Sequence, residues 1–299
     1  MPTTVAAVQG TPVFCDRDAT IDRVAELTKE AAANGAQLVA FPEAFVPSYP
    51  DFVWRTIPWS DGQNAWFARW VDQCVEVPGP ACDALAAVAR EHACYLAIPV
   101  NERDGGTVYN TILSFGPDGT LLGKHRKLVA TGGERLVWGM GDGSTLPVFD
   151  TPFGRFGGLI CWENYMPLAR AAMYEQRVDI LLAPTWDNSS TWVHSMRHIA
   201  KEGRCYVLGI TSCLRASDVP EDLPGRDEIY AGGDDDWMSR GNSVIVDPYG
   251  HVLAGPLSES AGILYAEVDR ATVRQSRFEF DVVGHYARPD VFKLRVDRG

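Results

Sequence analysis

The sequence predicts an α/β fold built on mixed sheets, and three observations carry that prediction. Short apolar runs of strand length alternate with amphipathic stretches of helix length in both halves of the chain. Turn signals join several apolar runs directly as hairpins, which argues against a fully parallel, doubly wound sheet. No linker divides the 299 residues, so the reading is one domain spanning 1–299.

The elements follow in order. Residues 5–9 are a short apolar run and read as a buried strand. Over 20–34, Ile21, Val24, Leu27, Thr28, Ala31 and Ala32 form one helical stripe, closed by the C-cap signal Asn34-Gly35. A second strand at 37–41 ends in Pro42-Glu43 and completes a βαβ unit. The stretch 47–64 is irregular and aromatic-rich, with Tyr49, Phe52, Trp54 and Trp59. Helices are expected at 63–74 and 81–92, then strands at 94–100, 108–115 and 120–124, the last two joined by the turn Gly116-Pro117-Asp118-Gly119. A Gly-rich connection covers 124–144, and loops of that length in a compact domain are usually functional.

The second half repeats the pattern. A strand at 157–160 turns at Cys161 into an amphipathic segment, followed by a strand at 179–185, a helix at 190–203 and a strand at 205–212. Residues 216–240 read as a polar surface loop whose run Asp234-Asp235-Asp236 is a solvated face rather than a metal site. A hairpin pairs 242–247 with 251–253 around Pro248-Tyr249-Gly250, and a strand at 262–268 leads into a short helix from Asp269.

Bulk properties exclude several classes. A net charge of −12 argues against nucleic acid or an anionic membrane as a partner. Seven cysteines, odd in number and without CxxC pairs, support neither a disulfide framework nor a Cys-rich zinc site. The start MPTTVAAVQG has no basic n-region, and no run reaches the ~18 apolar residues of a membrane span. The expected setting is cytoplasmic and reducing.

Cys161 draws attention because it stands where a strand meets a helix start. Backbone N–H groups there favour a thiolate and can hold developing negative charge. A buried free cysteine at the end of an apolar run is also, commonly, mere packing. The other six, Cys15, Cys74, Cys82, Cys94, Cys205 and Cys213, have no partner motifs and read as packing residues. A nucleophilic thiol needs a base and a group to steady charge on the substrate. Glu43 at a strand end and Lys127 in the long connection can serve those ends, with the N–H of Trp162 as a further donor. Taken singly, Glu43 also reads as a loop carboxylate, and Lys127 as part of a solvated basic cluster, His125-Arg126-Lys127.

The combination resembles the nitrilase superfamily of carbon–nitrogen hydrolases, and within it the nitrilase branch. The residues that carry the resemblance are FPEAFVPSYP around Glu43, KHRKLVATGGERLVWGMGDGS around Lys127 and GGLICWENYMPLAR around Cys161. LLAPTWD, SMRHIAKEGRCYV and GHYARPDVF extend it over nearly the whole chain. The resemblance implies a four-layer αββα sandwich, two mixed sheets flanked by helices. It also implies a catalytic triad Glu43, Lys127 and Cys161, with a second glutamate, Glu134, holding Lys127 and helping to position the reacting groups. Trp162-Glu163 after the cysteine is similar to the nitrile-hydrolysing branch, whereas amidase-like members carry Tyr-Asp or similar. Ala130 and Met140 depart from the Pro and Gln common in the family, which bears on loop shape and selectivity. The short stretch after ARPDVF, against the longer tail of many nitrilases, points to a homodimer or small homo-oligomer.

The reaction so implied converts a small-molecule nitrile to a carboxylic acid and ammonia through a cysteine thioimidate and thioester, with no metal and no cofactor. Loss of the thiol from the tetrahedral intermediate before ammonia releases an amide instead. Two alternatives stand beside it: an aliphatic amidase or N-carbamoyl amide hydrolase using the same triad, and a non-catalytic scaffold or ligand-binding member of the fold. Tyr49, Trp162 and Trp186 flank the motifs and are candidate walls of a substrate pocket, with ordinary aromatic core as the other reading. His194 and His198 have the i, i+4 spacing of a metal pair, but Ser195 replaces the glutamate of HExxH, so structural histidines are expected. Gly139, Gly141 and Gly143 mimic a dinucleotide loop without the strand and helix it needs, and Asn188-Ser189-Ser190 has no secretory context for glycosylation.

Overall fold

Strand β1 (Thr3–Gln9) carries Val5-Ala6-Ala7-Val8, all fully buried. Successive strand residues point to opposite faces, so a continuous apolar run means that both faces are covered. Ala6 and Val8 pack with Val24 and Ala31 of α1 (Arg17–Ala33). Val5 and Ala7 pack with Ile180, Leu208 and Ile245, which belong to a second sheet. Helix α1 starts at Asp16, whose side chain accepts the Ala19 N–H, and ends at Asn34 before Gly35 at φ +86°. The computed structural model describes residues 2–230 and 236–298, apart from the side chain of Glu228.

The first sheet adds β2 (Ala36–Ala40), β3 (Tyr95–Asp104), β4 (Thr107–Phe115) and β5 (Leu121–Arg126). Between β2 and β3 lie α2 (Phe52–Arg55), α3 (Asp61–Asp72) and α4 (Pro80–Glu91). The second sheet is built from β6 (Phe149–Thr151), β7 (Gly154–Gly158), β8 (Ile180–Thr185), β9 (Tyr206–Thr211), β10 (Cys213–Arg215), β11 (Trp237–Val246) and β12 (Val252–Ser258). Helices α5 (Pro167–Glu175) and α6 (Ser190–Gly203) connect its central strands. After α7 (Arg226–Ile229), strand β13 (Gly262–Val268) returns to the edge of the first sheet beside β1, and α8 (Arg270–Glu279) follows it.

Sheet order is β13-β1-β2-β3-β4-β5 in the first and β10-β11-β9-β8-β7-β6 in the second, with β12 on β11. Both are mixed: β1/β2, β2/β3, β7/β8 and β8/β9 are parallel, and the remaining pairs are antiparallel. Three apolar layers hold the four tiers together. One joins α1 and α4 to the first sheet, one joins the sheets face to face, and one joins the second sheet to α5 and α6. Truncating a fully buried member such as Leu38 or Leu208 to Ala costs about 2–5 kcal/mol. The expected αββα sandwich is the observed fold.

Local differences have physical reasons. Strand β6, which forms a hairpin with β7, is only three residues long and was not among the expected elements. The stretch 216–240, expected as surface loop, instead contains α7 and the start of β11. Ser239 and Ser243 in β11 are polar but fully buried: Ser239 Oγ donates to Ser212 O, and the Ser243 N–H donates to Gln9 Oε1. Polarity without exposure hid the first half of this strand, whose second half was expected at 242–247. Asp234 and Asp235 lie outside the described residues.

Candidate active site

Four chain segments end at one place. Glu43 lies just past the C-terminal end of β2, Lys127 immediately after β5, Cys161 three residues after β7, and Thr185 closes β8. Strand β5 runs parallel to β2 and β3 because two antiparallel steps separate it from β3. Carboxyl ends of strands from both sheets therefore converge, where open α/β folds hold their reactive groups.

Lys127 is the centre of the polar network. Its Nζ donates to Glu43 Oε1 at 2.8 Å and to Glu134 Oε2 at 2.7 Å, and all three residues are about 98% or more buried. Glu43 accepts further from Asn110 Nδ2 (2.8 Å) and, through Oε2, from the Trp186 backbone N–H (2.6 Å). Glu134 sits in the short 3₁₀ turn Gly132–Leu136, where its Oε2 also accepts the Thr131 N–H. Its Oε1 accepts the Tyr49 hydroxyl at 2.8 Å, and Tyr49 accepts the Trp54 indole N–H. Two carboxylates and one ammonium, each hydrogen-bonded, make burial of these charges tolerable.

Electrostatics within this set are strongly shifted. Burial pushes the Glu43 carboxyl above its ordinary range, Lys127 opposes this, and Glu134 reinforces it. Burial pulls the Lys127 ammonium down, but Glu43, Cys161 and Glu134 more than offset that, so it stays charged. Burial and the neighbouring Glu43 push the Cys161 thiol up, while Lys127 and a hydrogen bond from Thr185 act the other way. The thiol is therefore held protonated at rest, beside a carboxyl group whose affinity for protons is raised.

Cys161 opens a 3₁₀ turn, Cys161–Tyr165, rather than preceding a long helix directly. Its φ of +55° is left-handed, an unusual and costly conformation for a non-glycine residue and one that clusters at functional sites. Glu163 fastens the turn. Its Oε2 accepts the Ile160 N–H (2.6 Å) and pairs with His125 Nε2 (2.9 Å), and its Oε1 accepts the Leu128 N–H (2.5 Å). One buried carboxylate thus ties the residue after Lys127 to the residue before Cys161. The basic triplet 125–127 is not a solvated cluster: His125 holds Glu163, Arg126 pairs with Glu102 and Asp104, and Lys127 lies at the site.

A cavity of about 570 Å³ opens on Cys161 and Glu134. The expected wall residues Tyr49, Trp162 and Trp186 all line it, joined by Trp54 and Tyr165. Tyr49 and Trp186 stack face to face, with centroids 4.4 Å apart and planes inclined by 3°. The indole N–H of Trp162 donates to Asp187, so the donor this residue offers Cys161's surroundings is its backbone N–H in the first turn. His194 and His198 lie on an exposed stretch of α6, away from this cavity, and among the described residues no cluster of His, Cys, Asp or Glu suits a metal ion. Sequence reasoning missed Thr185, Asn110 and the His125–Glu163 pair. Thr185 stands within the quoted LLAPTWD stretch, and His125 and Glu163 lie two residues from Lys127 and Cys161, but only the fold makes them partners.

The carbon–nitrogen hydrolase family model matches residues 4–278. The chain is 48% identical to the aliphatic nitrilase of Sinorhizobium fredii (strain HH103), over 98% of this chain and 94% of that protein. It is 45% identical to the bifunctional nitrilase/nitrile hydratase NIT4B of Nicotiana tabacum, over 97% of this chain and 84% of that protein. Among solved structures it is similar to Saccharomyces cerevisiae Nit3, a member of branch 10 of the nitrilase superfamily, with a TM-score of 0.71 and 23% identity, covering 96% and 97% of the two chains. An amidase from Nesterenkonia sp. matches with a TM-score of 0.67 and 19% identity, over 93% and 94%. At such identities the two structures speak for the fold alone.

Proposed function

The chain belongs to the carbon–nitrogen hydrolase family, and from that membership we propose that it is a nitrilase, hydrolysing an organic nitrile to its carboxylic acid and ammonia. The observation that carries the mechanism is the buried Glu43–Lys127–Glu134 network, whose Glu134 lines the same aromatic pocket as Cys161. Identity of 43–48% to proteins named nitrilases, over nearly the whole chain, favours nitriles over amides as substrate.

Glu43 takes the thiol proton as Cys161 Sγ attacks the nitrile carbon. One π pair of the C≡N bond moves to nitrogen, steadied by the Lys127 ammonium, and the nitrogen takes the thiol proton from Glu43 to give a thioimidate and restore the carboxylate. Glu43 then deprotonates a water that adds to the carbon. The C–N bond breaks, ammonia leaves with the proton, and a thioester remains. A second water, activated in the same way, releases the acid and restores the thiol. Glu134 keeps Lys127 oriented and charged. Breakage of the C–S bond in place of the C–N bond would release an amide, as the name of the tobacco relative describes for that protein.

The side-chain class follows from the walls. Tyr49, Trp54, Trp162 and Trp186 line the cavity, and an aromatic lining suits an aryl or arylalkyl group. Asp187 at the rim, with no Arg or Lys among the lining residues, disfavours nitriles that bear a carboxylate. The whole of 1–299 acts as one domain in this reading. Seven free, buried cysteines suit a reducing cytoplasm, and no described helix is long and apolar enough to cross a membrane. The reading includes assembly as a homodimer or small homo-oligomer.

The test is Cys161→Ala assayed with nitriles and their matching amides. The wild type is expected to release ammonia from nitriles, and the variant to release none while keeping its circular dichroism spectrum. Ammonia release by the variant would remove Cys161 from the chemistry, and turnover of amides alone would transfer the site to the amidase reading.

A further inference from the structure

Three consecutive residues at the end of β8 each hold a different part of the site. Thr185 Oγ1 donates to Cys161 Sγ at 3.2 Å. The Trp186 backbone N–H donates to Glu43 Oε2 at 2.6 Å. The Asp187 carboxylate accepts the indole N–H of Trp162, the residue after the cysteine. Strand β8 is buried throughout, and Thr185 pairs with Thr211 of β9, while pairing with β7 covers only Ile180–Leu182 and leaves the strand end open toward Cys161.

The Thr185 hydroxyl has its proton to offer the sulfur. A hydroxyl has one proton and two lone pairs. The Asp187 N–H donates to Thr185 Oγ1 at 3.0 Å, occupying one of its lone pairs. The hydroxyl proton is directed at Sγ once the sulfur becomes a thiolate, which can only accept. Thr185 is fully buried and β-branched within a strand, so its rotamer is confined and water does not compete for the contact.

We propose that Thr185 is a further catalytic residue: its hydroxyl holds Cys161 Sγ in line and stabilises the sulfur as it becomes a thiolate, while the next residue's N–H fixes the accepting carboxylate. This rests on the reading of Cys161 as nucleophile. In the first step the S–H bond breaks to Glu43, and the S–C bond forms as one C≡N π pair moves to nitrogen. Thr185 keeps its own proton throughout, so the contact strengthens as charge builds and relaxes when the C–S bond is complete. Lys127 acts on the same sulfur only through space, across its bonds to Glu43 and Glu134. Thr185 is the direct donor.

The experiment compares Thr185→Val, which has the same shape without the hydroxyl, with Thr185→Ser, which retains it. Thr185→Ala is the fallback where the valine variant does not fold. Two readouts are taken: nitrile kinetics, and the pH dependence of iodoacetamide alkylation at Cys161, followed by mass spectrometry of its peptide. Loss of one hydrogen bond to a charged group is expected to lower kcat by roughly 10- to 100-fold with KM nearly unchanged. Alkylation of Cys161 should move to higher pH in the valine or alanine variant and return toward wild type in the serine variant. A valine or alanine variant with wild-type kcat and an unmoved alkylation profile overturns the assignment, as does a serine variant impaired equally with it. Alkylation needs no nitrile, so a shifted profile alongside silent nitrile assays would uphold Thr185 and count against the nitrile substrate alone.

Discussion

Replacing Glu134 with Gln tests whether the second carboxylate acts on the chemistry or merely fills space. The change is nearly isosteric and removes one charge. Glu134 Oε2 accepts from Lys127 Nζ and the Thr131 N–H, and Oε1 accepts from Tyr49. A glutamine can keep its oxygen toward Lys127 and Thr131. Its amide NH₂ then faces the Tyr49 hydroxyl, whose oxygen already accepts the Trp54 indole N–H. The certain loss is the charge on a buried hydrogen bond to an ammonium, worth about 1.5–3 kcal/mol. If that interaction serves the transition state in full, kcat falls about 10- to 150-fold. KM should change less than kcat, since in the proposed mechanism Lys127 acts on charge that develops on nitrogen only as the sulfur attacks. The pH profile supplies an independent sign. Burial raises the Glu43 carboxyl, and the Glu134 charge raises it further. The base must be ionised, so activity is lost as pH falls through the Glu43 pKa, and without the Glu134 charge this acid limb moves to lower pH. Steady-state kinetics across pH, with denaturant melts as a fold control, measure both effects. Unchanged kcat together with an unmoved acid limb would refute the reasoning.

Two further outcomes are expected. Removing one member of the buried His125–Glu163 pair, in His125→Ala, should destabilise the protein by about 3 kcal/mol, at the low end for buried pairs because Glu163 keeps two backbone donors. Burial lowers the His125 pKa, but Glu163 more than offsets it, so the net shift is upward. Glu163 is held down by His125 and its backbone donors against its own burial. The pair's contribution is therefore complete between about pH 4.3 and 6.5, is lost at acid pH through the lowered Glu163 pKa, and is lost at alkaline pH through the raised His125 pKa. Urea midpoints at pH 5.5 and 9 should differ more in the wild type than in the variant. On the substrate side, arylacetonitriles should exceed acetonitrile in kcat/KM by roughly 30-fold or more, from about 100 Å² of apolar ring removed from water at ~25 cal/mol per Å². Equal values in a kinetic panel would count against the aromatic walls as substrate contacts.

Much of this protein was legible in its sequence because the relevant signals are local. Apolar runs such as 5–9 and 179–185, the helical stripe after residue 20 and the Gly/Pro turns state their own conformation through period and turn chemistry. The strand ends bearing Glu43 and Cys161 were visible for the same reason, and the motifs around them pointed to one kind of chemistry. What the sequence left open depends on pairing across distance. Strand β6 is too short to carry a period, and β11 buries serines whose partners, Ser212 and Gln9, stand 27 and 234 residues away. The basic triplet looks solvated until β5 is laid beside the turn that brings Glu163 to His125. Thr185 is an unremarked strand residue until packing of the second sheet sets its hydroxyl against Sγ. Propensity and pattern determine which segments form, since they act within a few residues. Which polar groups meet in the buried site is decided by sheet order and the face-to-face packing of the two sheets, because only that geometry joins Glu43, Lys127 and Glu134 in one network and sets Glu134 and Cys161 on one pocket.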